Sequence, residues 1–300
     1  IKGGKTRKRR MIALRLAQKL PRSLLVEWED GLAANFTYVW LRDNSERRPS
    51  LLHLDLQSKP EVVEYSFGSL SVVWPPFLSS SYSSSFLRHH ASSSSLTKVH
   101  TSSTQSSLPV NNKTLLVPWQ VAESTAEGQR SLHAVGHLAS FEWTEGAYEA
   151  STIWPQLQKI PSLCTVQVAD SHTKSAKVNL VDAASALAVM SATHPREFVF
   201  LTSASVEYTS GLFTATHPVA TLQDGRVVGA VFNNELRSPH ITVESIETLY
   251  ASLKTFHKIC LQLMHTVQLE RGMLLMVDNT KTLIGAPAQA GRRLHLKVYN

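Results

Sequence analysis

Short apolar runs separated by turn residues occupy much of the chain and predict strands. Residues 273–277 form a continuous apolar run behind Gly272, and Asp278-Asn279 after it is typical of a turn. Residues 294–299 alternate apolar and polar positions, as expected for a strand with one buried face. Further runs of this kind lie at 166–168, 178–181, 218–222 and 227–234. The pattern predicts a mainly β structure.

Two helices are predicted between these strands. Asp182 is a favourable N-terminal cap for a helix that runs to His194 and stops before Pro195. Thr242 is predicted to cap a longer helix, in which apolar residues recur at steps of three and four from residue 243 to 263. Cys260 lies on that apolar face, so we expect its thiol to pack as a small buried hydrophobe.

The N-terminal part contains two hairpin patterns. The first ends in a segment with a tryptophan, and the second ends in a segment with a phenylalanine. Residues 24–44 consist of two apolar runs around Asp30-Gly31, a pair that favours a tight hairpin turn. Residues 69–89 repeat this order of strand, turn and aromatic segment. We therefore expect a small antiparallel β-domain at residues 24–91.

Composition sets the other domain boundaries. Residues 1–26 contain nine Lys/Arg and no acid, and apolar residues have helical spacing over 11–20. A leader at 1–23 therefore fits either a mitochondrial presequence or a basic tail, so the predicted location is mitochondrial or cytoplasmic. Serine-rich residues 92–112 predict a flexible linker, because this composition buries little apolar surface. A larger second domain is expected at 113–300.

Bulk composition excludes several classes of function. Hydrophobic residues make up 43% of the chain and charged residues 18%, which is ordinary for a globular protein. The formal charge of +7 sits mostly in the leader, and no basic stripe predicts a nucleic-acid partner. Two cysteines, Cys164 and Cys260, exclude a disulfide framework and a cysteine-based zinc site. No apolar run reaches membrane-spanning length, so no membrane partner is predicted.

The C-terminal strands resemble a known enzyme family. The TauD-like gamma-butyrobetaine hydroxylase/trimethyllysine hydroxylase family, Fe(II)- and 2-oxoglutarate-dependent dioxygenases, has a strand ending in Asp-Asn, then Arg, then Leu-His-Gly-Arg, and an Arg six residues before a Tyr. The positions that keep this spacing here are Asp278, Asn279, Lys281, Leu283, Gly285, Arg293 and Tyr299. Ile284 occupies the position of the His, which is an iron ligand in the family, and Ala286 that of the following Arg.

The N-terminal hairpin resembles the start of the same family's small β-domain. The matching positions are Trp28, Asp30, Gly31, Phe36, Trp40, Leu41, Arg42, Asp43 and Asn44. In the family a cysteine cluster follows and binds zinc together with a later His. Here Ser45 follows instead, and Leu78 lies near the place of the His. Because thiolates make such a site tight, no zinc is expected.

The resemblance implies a substrate and a cofactor for specific residues. Asn233 and Asn234 lie in a Phe-Asn-Asn element that helps to hold a trimethylammonium substrate in the family, and Tyr299 is the third substrate-binding candidate. The implied partner is a small betaine or trimethylated amino acid. Arg293 matches the residue that pairs with the 2-oxoglutarate carboxylate, and Arg292 is the fallback, since a guanidinium binds a carboxylate through two parallel bonds.

The iron ligands do not follow the family pattern. Two histidines and one carboxylate are needed on one face of the metal. The family's His-x-Asp pair falls in a stretch that is missing between residues 160 and 164, and Ile284 replaces the third ligand. Asp170 and His172 are weak substitute candidates, because they lie two residues apart and would share one face of a strand. No tightly bound metal is expected.

The sequence therefore predicts one fold and leaves three functions open. The fold is mainly β (α+β): a small antiparallel β N-terminal domain plus a partial double-stranded β-helix (jelly roll) with flanking helices. The missing strands would leave unpaired edges, so the chain is expected either to associate, for example as a homodimer, or to be unstable. The chain is either a catalytically inactive family member, an active dioxygenase with substitute ligands, or a binding module for a betaine or dicarboxylate.

Overall fold

A computed structural model describes residues 13–46, 48–91, 119–125, 132, 137–143, 148–169, 174–286 and 294–299. These residues form two compact units. The first contains the described part of Ile1–His100 together with Pro239–Tyr250, and the second contains the described part of Thr101–Ser238 together with Ala251–Asn300. The second unit is thus interrupted in sequence by a short segment that belongs to the first.

The elements are numbered in chain order. The strands are β1 (Leu14–Lys19), β2 (Ser23–Trp28), β3 (Ala33–Thr37), β4 (Val62–Tyr65), β5 (Ser69–Trp74), β6 (Leu78–Ser83), β7 (Trp119–Glu123), β8 (His137–Trp143), β9 (Tyr148–Ser151), β10 (Leu163–Val168), β11 (Ser175–Asp182), β12 (Ser205–Ser210), β13 (Phe213–Pro218), β14 (Ala220–Gln223), β15 (Arg226–Ala230), β16 (His265–Glu270), β17 (Met273–Asp278), β18 (Thr282–Ala286) and β19 (Leu294–Tyr299). The helices are α1 (Tyr38–Asp43), α2 (Ser84–His90), α3 (Ala183–Thr193), α4 (Pro195–Ser203) and α5 (Ile246–Gln262).

The first unit consists of two similar halves. Strands β1–β2–β3 form one antiparallel sheet that leads into α1, and β4–β5–β6 form a second sheet that leads into α2. Alternate residues of β2 and β5 are buried, and each strand ends in a fully buried tryptophan, Trp28 or Trp74. The repeat that the sequence indicated is therefore a repeat of structure.

The two halves share one core. The Trp28 indole N–H donates to the Ser84 hydroxyl over 3.0 Å, and Ser84 begins α2. Tyr38, at the equivalent start of α1, packs edge-on against Trp74 with 6.3 Å between ring centroids. Each tryptophan is thus packed by the opposite half, so neither half buries its aromatic residues alone.

Three local predictions for this part of the chain were wrong. The helical spacing over 11–20 predicted a helix, whereas Leu14–Lys19 form β1 and pair with β2. The second hairpin strand was expected to continue to Asn44, but Tyr38–Asp43 form α1 because four of its six residues are apolar and pack into the core. In the long helix, α5 begins at Ile246 after Ser245, whose hydroxyl accepts from Thr248 N, and not after Thr242.

The second unit is a sandwich of two antiparallel sheets. One has the order β7-β17-β10-β19-β8 and the other β16-β11-β18-β9. Apolar side chains from both sheets form one buried cluster, to which β10, β11, β16, β17, β18 and β19 all contribute. The predicted fold, mainly β with a jelly-roll domain and flanking helices, is confirmed. Association of copies across the outer strands stays a prediction.

The helices of the second unit follow their sequence signals. The Asp182 carboxylate accepts hydrogen bonds from Ala184 N and Ser185 N at 3.0 and 3.1 Å, as predicted for the cap of α3. Pro195 ends α3 and occupies the first turn of α4, where its missing N–H has no partner to lose. Cys260 is buried on α5, as expected. In the part of the chain that the structure describes, no helix is long and apolar enough to span a membrane.

The backbone of β15 lies very close to Thr280, and a substitution on this strand can test the packing of the second unit. Ala230 N donates to Thr280 O over 3.0 Å, and a Cβ at Gly229 would collide with the same carbonyl oxygen. We expect Gly229→Ala to lower the free energy of unfolding by about 2–4 kcal/mol. Gly211→Ala, at an open turn position with φ +60°, should lower it by only about 1 kcal/mol. Urea denaturation of both variants measures the difference, and equal losses would contradict the packing.

Candidate functional site

Ile284 lies at the position that the sequence assigns to an iron ligand, and it belongs to the apolar core. Its side chain is fully buried in the cluster between the two sheets, together with Leu180 and Val277. On β18 it is paired with Leu180 of β11 on one side and Ser151 of β9 on the other. A residue here is surrounded by hydrocarbon and is not directed at solvent or a cleft.

The loop that follows β15 contains the two predicted substrate-binding asparagines. The Asn233 side-chain oxygen accepts from Glu235 N and Leu236 N at 3.1 and 3.0 Å, and its amide nitrogen donates to Thr152 O over 3.2 Å. Such bonds to the following backbone define a local turn. Asn233 is 8% exposed, so its side chain shapes the loop and is committed to internal partners.

Arg237 closes the same loop. Its guanidinium donates to the Asn234 side-chain oxygen over 3.0 Å and is 3% exposed. The loop is also fastened to β12, where Tyr208 pairs with Arg237 through the backbone and the Tyr208 hydroxyl donates to Val231 O over 2.9 Å. Burial raises the pKa of Tyr208, against the opposing effect of the Arg237 charge, so the phenol stays protonated and keeps donating.

Three ionisable groups lie beside this loop. His257 of α5 is 2% exposed, and its Nδ1 lies 3.4 Å from Oε2 of Glu149 on β9. Burial lowers the pKa of His257, and the nearby Glu149 charge opposes that effect. Burial, and then repulsion by Glu149, raises the pKa of Glu235. Phe232 packs edge-on against His257 with 5.6 Å between ring centroids.

Asn279 joins the segment that follows β9 to the segment that precedes β10. Its side-chain oxygen accepts from Ile153 N over 2.8 Å, and its amide nitrogen donates to Ile153 O and Pro161 O, both over 2.9 Å. Its backbone N–H donates to Ser162 O over 3.0 Å. The side chain is fully buried. The short connection from β9 to β10 is therefore held directly against the end of β17.

The structure brings only some of the predicted site residues together. Asn233 and Asn234 are neighbours in the loop after β15, whereas Tyr299 is 2% exposed at the end of β19, opposite Leu163. The predicted cofactor residues Arg292 and Arg293 and the weak metal candidates Asp170 and His172 lie outside the described residues. Their roles stay predictions.

Sequence reasoning missed Thr152 and His257. Thr152 N donates to Phe232 O over 2.7 Å and its hydroxyl accepts from Phe232 N over 3.0 Å, so it holds the strand end that precedes Asn233. No local pattern marks this residue, because its partners are far away in sequence. His257 follows the buried Phe256 on the helical face that the apolar spacing did predict, and that position was the available signal.

A family match now identifies the second unit. The family described as taurine catabolism dioxygenase TauD, TfdA family, matches residues 149–299, half of the chain. The chain belongs to the TauD/TfdA family. The match extends from within β9 to the end of β19 and includes the Asn233 loop and Ile284.

Solved structures similar to this TauD/TfdA chain are distant. A taurine dioxygenase from Burkholderia xenovorans has 12% identity and a TM-score of 0.48, over 61% of this chain and 75% of that one. PvcB, an Fe, alpha-ketoglutarate dependent oxygenase from an isonitrile synthetic pathway, has 17% identity and a TM-score of 0.46 over the same shares. The PvcB protein from Pseudomonas aeruginosa has 17% identity and a TM-score of 0.45, again over 61% and 75%. No curated protein matches the chain.

Members of the TauD/TfdA family use Fe(II) and 2-oxoglutarate. Non-haem iron needs imidazole and carboxylate donors. At Ile284 the chain supplies a buried aliphatic side chain within an apolar cluster. Among the described residues, no group of three His, Cys, Asp or Glu side chains is arranged to hold a metal ion. The described residues therefore do not fit the family's iron.

The bonds of Asn279 predict a large loss of stability on their removal. Asn279→Ala would leave the Ile153 N–H and the Ile153 and Pro161 carbonyls without their side-chain partner in a buried setting. We expect the free energy of unfolding to fall by about 3–5 kcal/mol. Asn179→Ala, which removes an exposed bond from the Thr266 hydroxyl, should cost less than about 1 kcal/mol. Chemical denaturation compares the two, and a loss at Asn279 as small as at Asn179 would refute this role.

Proposed function

We propose that this chain is a non-catalytic member of the TauD/TfdA family that descends from its gamma-butyrobetaine/trimethyllysine hydroxylase branch. The observation that supports the proposal most is the full burial of Ile284 in the core at the position of an iron-binding His. An aliphatic side chain offers no lone pair to a metal. A chain with an aliphatic side chain buried at this position keeps the family's fold but lacks a ligand for the iron that activates oxygen.

The polar groups of the candidate substrate loop point to the same conclusion. The side-chain oxygen of Asn233 already accepts two backbone N–H groups, and that of Asn234 accepts from buried Arg237. A bound substrate would have to displace these bonds and leave buried partners unsatisfied, which is costly. This arrangement favours a structural loop over a binding module for a betaine or dicarboxylate.

The branch of the family is inferred from the sequence elements at both ends of the chain. The Trp40 to Asn44 segment, the Phe232-Asn233-Asn234 element followed by Arg237, and the Asp278-Asn279 strand end resemble the carnitine-biosynthesis hydroxylases. In this chain α1 ends in Asp43, which is fully buried, and Ser45 donates to Arg42 O over 3.0 Å where the family has its cysteine cluster. The residues of this N-terminal segment are therefore also committed to packing and to hydrogen bonds within the chain.

Turnover and ligand binding test the proposal together. The full chain is incubated with Fe(II), ascorbate, 2-oxoglutarate and either gamma-butyrobetaine or trimethyllysine, and succinate is measured. We expect succinate at the level of the protein-free control, and no change in melting temperature with any of these ligands, because binding to the native state would raise it. Substrate-dependent succinate would refute inactivity. A ligand-dependent rise in melting temperature without turnover would instead support the binding module.

Restoring the family's residue tests whether the position is now core. In Ile284→His a partnerless imidazole would be buried among apolar side chains, so we expect the free energy of unfolding to fall by about 3 kcal/mol or more. Ile284→Val, which removes one buried methylene, should cost about 1 kcal/mol. The iron content of purified Ile284→His should equal that of the unmodified chain. A stable variant with stoichiometric iron would contradict the account.

A further inference from the structure

The segment Pro239–Tyr250, here called the return segment, is bound into the first unit at both of its ends. The Trp40 indole N–H donates to Pro239 O over 2.9 Å. At the other end the Tyr250 hydroxyl donates over 2.8 Å to Oδ2 of Asp43, whose side chain is fully buried. Trp40 and Asp43 are both on α1, so one short helix binds both ends of the segment. Between these ends, Glu247 of the segment lies 3.9 Å from the Arg22 guanidinium.

A buried histidine lies against one of these two contacts. The His90 ring at the end of α2 is 8% exposed and packs on the Trp40 ring with 5.7 Å between centroids, and on Phe86 with 4.7 Å. Its Nδ1 atom is buried and makes no hydrogen bond to any described residue. The tryptophan that binds Pro239 therefore also forms one wall around an unpartnered imidazole.

The charges that act on His90 among the described residues come from two other histidines. His89 precedes it on the same helix, with 4.9 Å between the ring centroids, and His240 follows Pro239 on the return segment. Burial, then repulsion by His89 and by His240, lowers the pKa of His90 to about 4. At neutral pH the ring is uncharged and packs as an aromatic residue.

Comparison of the two halves of the first unit shows that the half with α2 has a titratable residue, His90, where the half with α1 does not. The residue equivalent to His90 at the end of α1 is Asn44, which caps its helix by donating to Trp40 O over 2.9 Å and accepting from Arg48 over 3.1 Å. An amide at this position does not titrate. The second half instead places an imidazole beside the contact that holds the return segment.

We propose that His90 makes the attachment of the return segment to the first unit sensitive to acid. Protonation of His90 would place a positive charge on a ring that packs against Trp40 and Phe86. Moving the return segment away would remove His240 and expose the ring to water. Acid would therefore release the segment before the sheets of the unit unfold.

The direction and the size of this pH effect follow from the linkage between protonation and stability. The folded pKa of His90 lies below the ordinary value of 6.5, so the packed state loses stability as pH falls from 6.5 and the loss is complete near pH 4. If release restores the ordinary pKa, the opening equilibrium at pH 5.0 should be about thirtyfold more favourable than at pH 7.5.

Hydrogen exchange on the full chain at pH 7.5 and 5.0, corrected for the intrinsic pH dependence of exchange, tests this proposal. We expect protection of amides in the return segment to fall about thirtyfold at pH 5.0. Peptides from β2 and β5 of the same unit should change far less. Equal protection at the two pH values would overturn the proposal, and so would a parallel loss across the segment and both strands.

Two variants separate His90 from the other histidines. His90→Phe keeps an aromatic ring beside Phe86 and Trp40 but cannot be protonated, so protection of the return segment should become independent of pH over this range. His53→Gln changes an exposed histidine of the same unit and should keep the full response. If His90→Phe does not fold, the experiment uses His90→Met, in which a flexible apolar side chain takes the place of the ring. An unchanged response in the folded variant would overturn the role of His90.

Discussion

The side chain of Asn279 holds together the three segments on which the sandwich and its site depend. It binds Ile153 after β9 and Pro161 before β10 from the end of β17, and it does so in full burial. Buried polar groups that are fully paired are specific as well as stabilising, because any displacement leaves several of them unsatisfied. This one residue therefore fixes the path of the chain between β9 and β10.

The shortened connection has consequences for the neighbouring loop. Thr152, next to Ile153, forms reciprocal bonds with Phe232 and accepts from the Asn233 amide. The loop that contains Asn233 is thus bonded to the same short connection between β9 and β10. Ile284 lies in the core of the same unit, so three of the positions singled out by the family resemblance, Asn233, Asn234 and Ile284, are committed to internal packing or hydrogen bonds.

Local chemistry predicted most of the strands and the first long helix. Asp182 and Pro195 are strong signals for the ends of α3, and the apolar run before Asp278 is a strong signal for β17. The sequence failed where tertiary packing decides the outcome. Leu14–Lys19 had helical spacing but pairs with β2, and Tyr38–Asp43 became helical through aromatic contacts with distant residues.

The candidate site could be predicted only in part. The Phe232-Asn233-Asn234 element and Ile284 could be singled out in the sequence, through the family resemblance. The partners of these residues could not be predicted, because Thr152 and Asn233 are brought together by strands far apart in sequence and share no local pattern. The same holds for His257 and Glu149, which meet from α5 and β9.

A crystal structure of the full chain, grown anaerobically with Mn(II) and 2-oxoglutarate and measured at the manganese absorption edge, tests the central claim most directly. The account predicts Ile284 packed between the sheets beside Leu180 and Val277, and no anomalous peak within the sandwich. A peak in the sandwich coordinated by side chains of this chain, with 2-oxoglutarate bound to it, would contradict the account.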